Sequence, residues 1–262
     1  MEVNQIICGD NIQVMKTLPD DCIDLTVTSP PYDNLRDYQG YTFDFEAVAR
    51  QLWRVTKEGG VVVWVVGDAT INGSETGTSF RQALYFMEVG FNLHDTMIYE
   101  RPARFPDTKR YYAAFEYMFI FSKQFPTTVN LINDKKNTTY GDIISGNDRQ
   151  KDGRLTKKSC SGRKIKQFGV RNNIWKFYSG YMLSTKNKNA FKHPAIFPER
   201  LAQDHIISWS NKGDLILDPF CGSGTTCKMA RENHRDFIGI EISKEYCKIA
   251  NQRINNAQLS LF

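Results

Sequence analysis

The run "VVVWVVGD" beginning at Val61 leaves the chain few options, because almost every residue in it is apolar and β-branched. A strand with one wet face alternates; a continuous run must be covered on both sides, as in a parallel sheet between two helical layers. The flanking sequence supplies the layers. Upstream, "DFEAVARQLWRVTKEGG" sets Phe45, Val48, Leu52 and Val55 at helical spacing, with acids at its start and Gly59-Gly60 after its end. Before it come a strand candidate "QIICGD", an amphipathic stretch "NIQVMKTLPDD" and a strand "CIDLTVT". Downstream lie a helix "SFRQALYFMEVGF" and two strands, "LHDTMIYE" and "FEYMFIFSK", joined by "RPARFPDTKRYYA". After a break the alternation resumes with helix "PERLAQDHIISWS", strand "DLILDPF", helix "GTTCKMARENH", strand "RDFIGIEIS" and helix "KEYCKIANQRINNA". The pattern predicts a doubly wound, mostly parallel α/β sheet with its sites beyond the carboxyl ends of the strands.

The break, residues 125–190, is dominated by Gly, Asn, Ser and Lys and has no clear period. It divides the chain into 1–124, the insertion 125–190, and 191–257, followed by a tail, 258–262. From Asp134 to Lys192 there are fifteen Lys or Arg against four Asp, so this segment carries +11 while the whole chain carries +5. The remainder is therefore acidic. Phe168, Trp175, Phe177, Tyr178, Tyr181 and Phe191 are interleaved with the cations, a composition suited to a polyanion with exposed bases.

Two motifs punctuate strand ends. "TSPPY", Thr28 to Tyr32, comes directly after the strand "CIDLTVT"; its prolines remove backbone donors and impose an extended, stiff shape. "DPFCGSGTT", Asp218 to Thr226, puts a glycine turn between a buried strand and a helix, where backbone can approach a ligand and free N–H groups face it. Glu241 ends the next strand, seventeen residues after Gly224, where a carboxylate can bind both hydroxyls of a ribose. This is the layout of a nucleoside site. A dehydrogenase fits poorly, because position 227 holds Cys227 where a small residue is wanted, and the chain has no Gly-Lys-Ser/Thr of a Walker loop there.

Together the two motifs resemble the catalytic and cofactor motifs of the DNA amino-methyltransferases, and their order, with the basic segment between, resembles the circularly permuted β class. "FKHPAIFPERL", Phe191 to Leu201, is similar to a further cofactor segment of that family. The resemblance implies a class I methyltransferase-like sheet of seven strands, S-adenosylmethionine as cofactor and double-stranded DNA as partner. It implies that Asp218, Phe220, Gly222, Ser223, Gly224, Thr225 and Thr226 surround the methionine and sulfonium part of the cofactor and that Glu241 holds its ribose. His193, Pro194 and Phe197 would close the site, and Asp10 of "CGDN" would stand near the adenine unless it caps the next helix.

The chemistry expected at "SPPY" is set by the target. An exocyclic amino nitrogen is a poor nucleophile, and acceptors on its two hydrogens free its lone pair for direct displacement. Ser29 and the Pro30 carbonyl, held by Pro31, suit this role, and Tyr32 would stack on a base flipped out of the duplex. The family resemblance favours cytosine N4 on the strength of Ser29, with adenine N6 as the alternative; a non-catalytic DNA-binding module and an RNA or protein methyltransferase stand lower. Methylation at cytosine carbon 5 needs a nucleophilic Cys in a Pro-Cys context, which the chain lacks. DNA contacts are expected from Arg36 beside the catalytic motif and from Lys164, Lys166, Arg171 and Asn172 in the insertion.

Six cysteines without CxxC spacing and four scattered histidines predict reduced thiols and no metal site. No apolar run is long enough to cross a bilayer and the amino terminus lacks a signal-peptide pattern, so a cytoplasmic location is expected, as a monomer or homodimer. "QLSLF", Gln258 to Phe262, resembles the short peptide by which bacterial proteins dock on the replication sliding clamp.

Overall fold

The computed structural model describes residues 1–31, 43–102, 109–193 and 195–257. In chain order the elements are β1 (Gln5–Cys8), α1 (Asn11–Thr17), β2 (Ile23–Thr28), α2 (Phe45–Val55), β3 (Thr56–Val66), β4 (Thr70–Ile71), β5 (Ser74–Glu75), α3 (Thr78–Val89), β6 (Asn92–Glu100) and β7 (Phe115–Ser122). Then come β8 (Lys135–Lys136), β9 (Asn147–Arg149), β10 (Leu155–Lys157), β11 (Phe168–Gly169), β12 (Ile174–Lys176), a 3-10 turn at Lys188–Lys192, α4 (Glu199–Trp209), β13 (Leu215–Asp218), α5 (Thr225–Glu232), β14 (Asp236–Glu241) and α6 (Lys244–Asn255). They form two compact units, one of residues 1–130 with 173–262 and one of residues 131–172.

The first unit is built on a sheet ordered β1-β14-β13-β2-β3-β7-β6-β12. Its pairings are parallel except those of β7, which runs antiparallel to both β3 and β6. From β2 the chain crosses outward to β3; from β13 it crosses the opposite way to β14. The order thus reverses between β2 and β13, paired through Leu25 with Ile216 and Thr26 with Leu217, and a crevice opens beyond the carboxyl ends of strands at such a point.

The β3 run explains the layers. Alternate residues of a strand face opposite sides: Val62, Trp64 and Val66 join a core cluster with Met15 of α1, Leu52 of α2 and Phe86 of α3. Val61, Val63 and Val65 on the other side are buried as completely. Helices α1, α2 and α3 pack in succession, α1 on α2 and α2 on α3, and α4, α5 and α6 do the same, which gives the doubly wound arrangement. The Trp64 indole N–H reaches Gln82 Oε1 at 2.8 Å, so this large buried ring leaves no orphan donor. Among the described residues no helix is long and apolar enough to cross a membrane.

Two details correct the sequence reading. Among the described residues the sheet has eight strands, not seven. The extra one is β12, cut from "NNIWKF" inside the segment read as insertion; it pairs parallel with β6, and Trp175, 6 % exposed, stacks on His205 with ring centroids 4.6 Å apart. Three residues are too few to show a period. The second concerns "TKEGG": α2 ends at Val55, where the Thr56 hydroxyl turns back to Leu52 O at 2.6 Å, and Gly59-Gly60 lie within β3.

The second unit holds two small antiparallel ladders, β9 with β10 and β8 with β11, and a bridge between Ile143 and Lys164. Eleven Lys or Arg against four Asp make it strongly basic.

Candidate active site

Beyond the strand ends at the switch point lies a cavity of about 1090 Å³, lined entirely by the first unit. Ser29, Pro30 and Pro31 lie on its wall with His193, Phe197, Asp218, Phe220, Gly222, Ser223, Thr225 and Glu241. The two sequence motifs thus meet in one space. They meet because β2 and β13 are neighbours, so the segments leaving Thr28 and Asp218 emerge side by side.

The junction is a hydrogen bond from Thr28 Oγ1 to Asp218 Oδ1, 2.7 Å. The Phe220 N–H donates to the same oxygen at 3.1 Å, while the Thr226 hydroxyl donates to Val27 O at 3.1 Å. Burial dominates nevertheless: it pushes the Asp218 carboxyl up to about 6, against the lowering effect of those donors. Glu241 ends β14, the strand beside β13. Its Oε2 accepts from Gly222 N at 2.9 Å and its Oε1 from Ser243 N at 2.8 Å; burial raises its pKa too, and the backbone donors offset part of the rise.

The glycine turn divides its labour. Gly222, at φ +50°, would carry a Cβ 2.8 Å from His193 Nε2, so the turn and His193 touch only because that side chain is missing. Gly224 is the N-cap of α5 at φ +78°, and its missing Cβ makes room for Ala250 of α6 at 2.8 Å rather than for a ligand. His193 is fixed between Ala195, whose N–H donates to Nδ1 at 3.1 Å, and Tyr246, whose ring packs edge-on at 4.4 Å.

Not every predicted site residue reaches the cavity. Asp10 accepts from Gln13 N at 2.9 Å as the N-cap of α1, and its neighbours Gly9 and Asn11 take the places on the wall. Lys164, Lys166, Arg171 and Asn172 belong to the second unit. There Arg171 Nε lies 3.1 and 3.0 Å from the two oxygens of Asp134, and Asn172 Oδ1 accepts from Lys135 Nζ at 3.1 Å, while Lys164 and Lys166 are exposed. Tyr32, Arg36, Pro194 and Gln258–Phe262 lie outside the described residues.

The sequence reading missed the far half of the cavity. Asp68, Tyr99, Arg101, Glu116 and Tyr117 line it; Asp68 accepts from Ser79 N at 2.8 Å and holds the start of α3, and Arg101 pairs with Glu116 at 3.1 Å. The signal was present at Asp68, a lone acid two residues beyond the apolar run Val61 to Val66. The sequence reading also missed Arg253, which has no exposed surface and donates to Ser223 and Thr225 from the last helix.

Comparison with known proteins agrees with this geometry. Residues 23–252 match the N6/N4 family model described as DNA methylase. The chain is 62 % identical over 246 residues to the orphan methyltransferase M.BamHII of Bacillus amyloliquefaciens, covering 92 % of each chain. Among solved structures, the TTHA0409 protein of Thermus thermophilus complexed with S-adenosyl-L-methionine superimposes with a TM-score of 0.65 at 22 % identity, over 97 % of this chain and 95 % of that one. The cytosine-N4-specific PvuII DNA methyltransferase gives 0.66 at 20 % identity, over 98 % of this chain and 94 % of that one. The chain belongs to the N6/N4 DNA methylase family.

Proposed function

We propose that this DNA methyltransferase transfers a methyl group from S-adenosylmethionine to the N4 amino group of a cytosine turned out of double-stranded DNA. One observation carries the reading: Ser29 and Pro30, suited to accept hydrogen bonds from an amino group, line the same cavity as Glu241 and the glycine turn.

The residues fit the cofactor. Each Glu241 oxygen takes one backbone N–H, so each keeps a lone pair for a ribose hydroxyl. Ser223 and Thr225 on the turn would face the methionine part, and Phe197 and His193 would close the site. The volume, about 1090 Å³, lies at the top of the range of about 300 to 1,000 Å³ usual for small-molecule pockets, in keeping with a site for a cofactor and a base. Bound there, S-adenosylmethionine supplies an electrophilic methyl carbon.

The chain's own task is to prepare the nitrogen. β2 stops at Thr28, and Pro30 and Pro31 have no N–H to continue the ladder, so the Pro30 carbonyl is available to the cavity. Together with Ser29 Oγ it would accept the two amino hydrogens, which localises the lone pair on nitrogen. Direct displacement needs no covalent enzyme intermediate, and no nucleophilic cysteine is required: Cys221 lines the cavity, but its Cys227 partner and burial hold its thiol well above the usual range. The Tyr99 and Tyr117 rings in the far half suit an unstacked base.

The basic unit of residues 131–172 is proposed as the target-recognition region, with Lys164 and Lys166 on phosphates. Arg171 and Asn172 brace that unit through Asp134 and Lys135.

The test is to incubate the protein with S-adenosylmethionine and unmethylated DNA, then digest to nucleosides for mass spectrometry. N4-methyldeoxycytidine is expected. N6-methyldeoxyadenosine instead would overturn the cytosine assignment, and absence of both the whole reading.

A further inference from the structure

Arg253 has no solvent-exposed surface, an expensive place for a permanent charge. Burial lowers its pKa and Glu199 counters that effect. Its partners show what the charge does. Arg253 Nη1 donates to Ser223 O, to Ser223 Oγ at 2.8 Å and to Thr225 Oγ1 at 3.1 Å. Nη2 donates to Glu199 Oε1 at 2.8 Å. The same Glu199 oxygen accepts from Lys228 Nζ at 2.9 Å and Thr185 Oγ1 at 2.7 Å, and the Glu199 N–H donates to Ser184 O at 3.0 Å. Lys228 also pairs with Glu232 at 3.3 Å, so two cations meet two anions.

These bonds tie together two walls that are distant in sequence. Ser223 and Thr225 lie on the glycine turn; Ser184, Phe197 and Pro198 line the same cavity from the chain that leads into α4. The two walls already touch where His193 occupies the space beside Gly222. A planar guanidinium with fixed donor directions can hold a carbonyl and two hydroxyls on one side and a carboxylate on the other, which a flexible ammonium cannot.

We propose that Arg253 and Glu199 are positioning residues for cofactor binding: the pair, its guanidinium fully buried, fixes the distance between the glycine turn and the wall that carries Ser184, Phe197 and Pro198, and so presets the pocket to the cofactor's width. This rests on the S-adenosylmethionine reading above. Neither residue lines the cavity, so neither is a catalytic residue.

The test is isothermal titration of full-length variants with S-adenosylmethionine, alongside thermal melting without cofactor and kcat at saturating cofactor. Arg253→Met and Arg253→Lys are each expected to weaken cofactor binding by about tenfold or more, with kcat at saturation changed far less than KM for the cofactor. If Arg253→Met proves too unstable to assay, the double variant Arg253→Met with Glu199→Met removes both charges of the pair and retains packing. It is expected to fold and still to bind cofactor weakly. A lowered melting temperature with unchanged cofactor affinity in the folded variants would overturn the proposal and make the pair merely structural. Wild-type protein that binds no S-adenosylmethionine would instead refute the functional reading on which it rests.

Discussion

Thr28 and Asp218 stand 190 residues apart in the chain and share a hydrogen bond of 2.7 Å. It joins the last residue of β2 to the last residue of β13 and sets the catalytic motif against the cofactor turn. Thr28→Val keeps the shape and removes the donor. A buried carboxylate that loses a partner costs about 1–3 kcal/mol, so urea denaturation should show that loss of stability, and the Asp218 pKa should climb further.

Asp218 also makes stability depend on pH. Its folded pKa, about 6, lies above its ordinary 3.8, so the folded state holds the proton more tightly than the unfolded one. That contribution is fully present below about pH 4, is lost as pH rises through 6, and is flat above. Asp218→Asn cannot titrate. The difference in unfolding free energy between wild type and Asp218→Asn should therefore drift by about 2 kcal/mol between pH 4 and 7; a constant difference would show that Asp218 has an ordinary pKa. Glu241, also raised by burial, adds a slope of the same sign, and because its charge also raises Asp218 that slope is shallower in Asp218→Asn.

The two glycines of the turn should separate by phenotype. Gly222→Ala places a methyl 2.8 Å from His193 Nε2 at the cavity wall, and Gly224→Ala places one 2.8 Å from Ala250 Cβ in the packing of α5 on α6. Both residues are in the left-handed region, which costs a side chain about 1–2 kcal/mol. Calorimetry should find cofactor affinity lost more severely in Gly222→Ala, and thermal melting should find stability lost more severely in Gly224→Ala, because a helix backbone yields less readily than an imidazole.

Trp175 tests the eighth strand. Its burial against His205 and the pairing of Ile174–Lys176 with β6 make it part of the first unit's core. Trp175→Ala should destabilise that unit by about 3–5 kcal/mol in chemical denaturation. A change below about 1 kcal/mol, roughly the scale of a surface substitution, would mean that β12 does not dock.

These positions also show what a sequence can disclose. The β3 run and the helical spacing of Val48, Leu52 and Val55 were legible because local sterics and periodicity dictate them, whereas the Ser29 to Pro31 and Asp218 to Thr226 motifs were legible through their resemblance to those of a known family. Glu241 was legible because its spacing from the turn is set by one helix and one strand. Asp10 was ambiguous for a physical reason: a carboxylate before a helix serves a cap as readily as a ligand, and the structure shows the cap. β12 and the far wall of Tyr99, Arg101 and Tyr117 were not legible, since they depend on which strands pair at long range. Arg253 left a trace, a cation among Ile249, Ala250 and Ile254 on the inward face of α6, but only the fold supplies Ser223 and Glu199 as its partners.

The central claim is that Ser29 and the Pro30 carbonyl, joined to the glycine turn across one cavity, direct a methyl group to an amino nitrogen of DNA. The most direct measurement is to express the protein in a host free of DNA methylation and to sequence the genome by a single-molecule method that reports N4-methylcytosine and N6-methyladenine by position. Wild-type protein should mark cytosine N4 at one recurrent sequence, and Ser29→Ala, with an unchanged melting temperature and cofactor affinity, should erase the mark. Full methylation by Ser29→Ala would contradict the account.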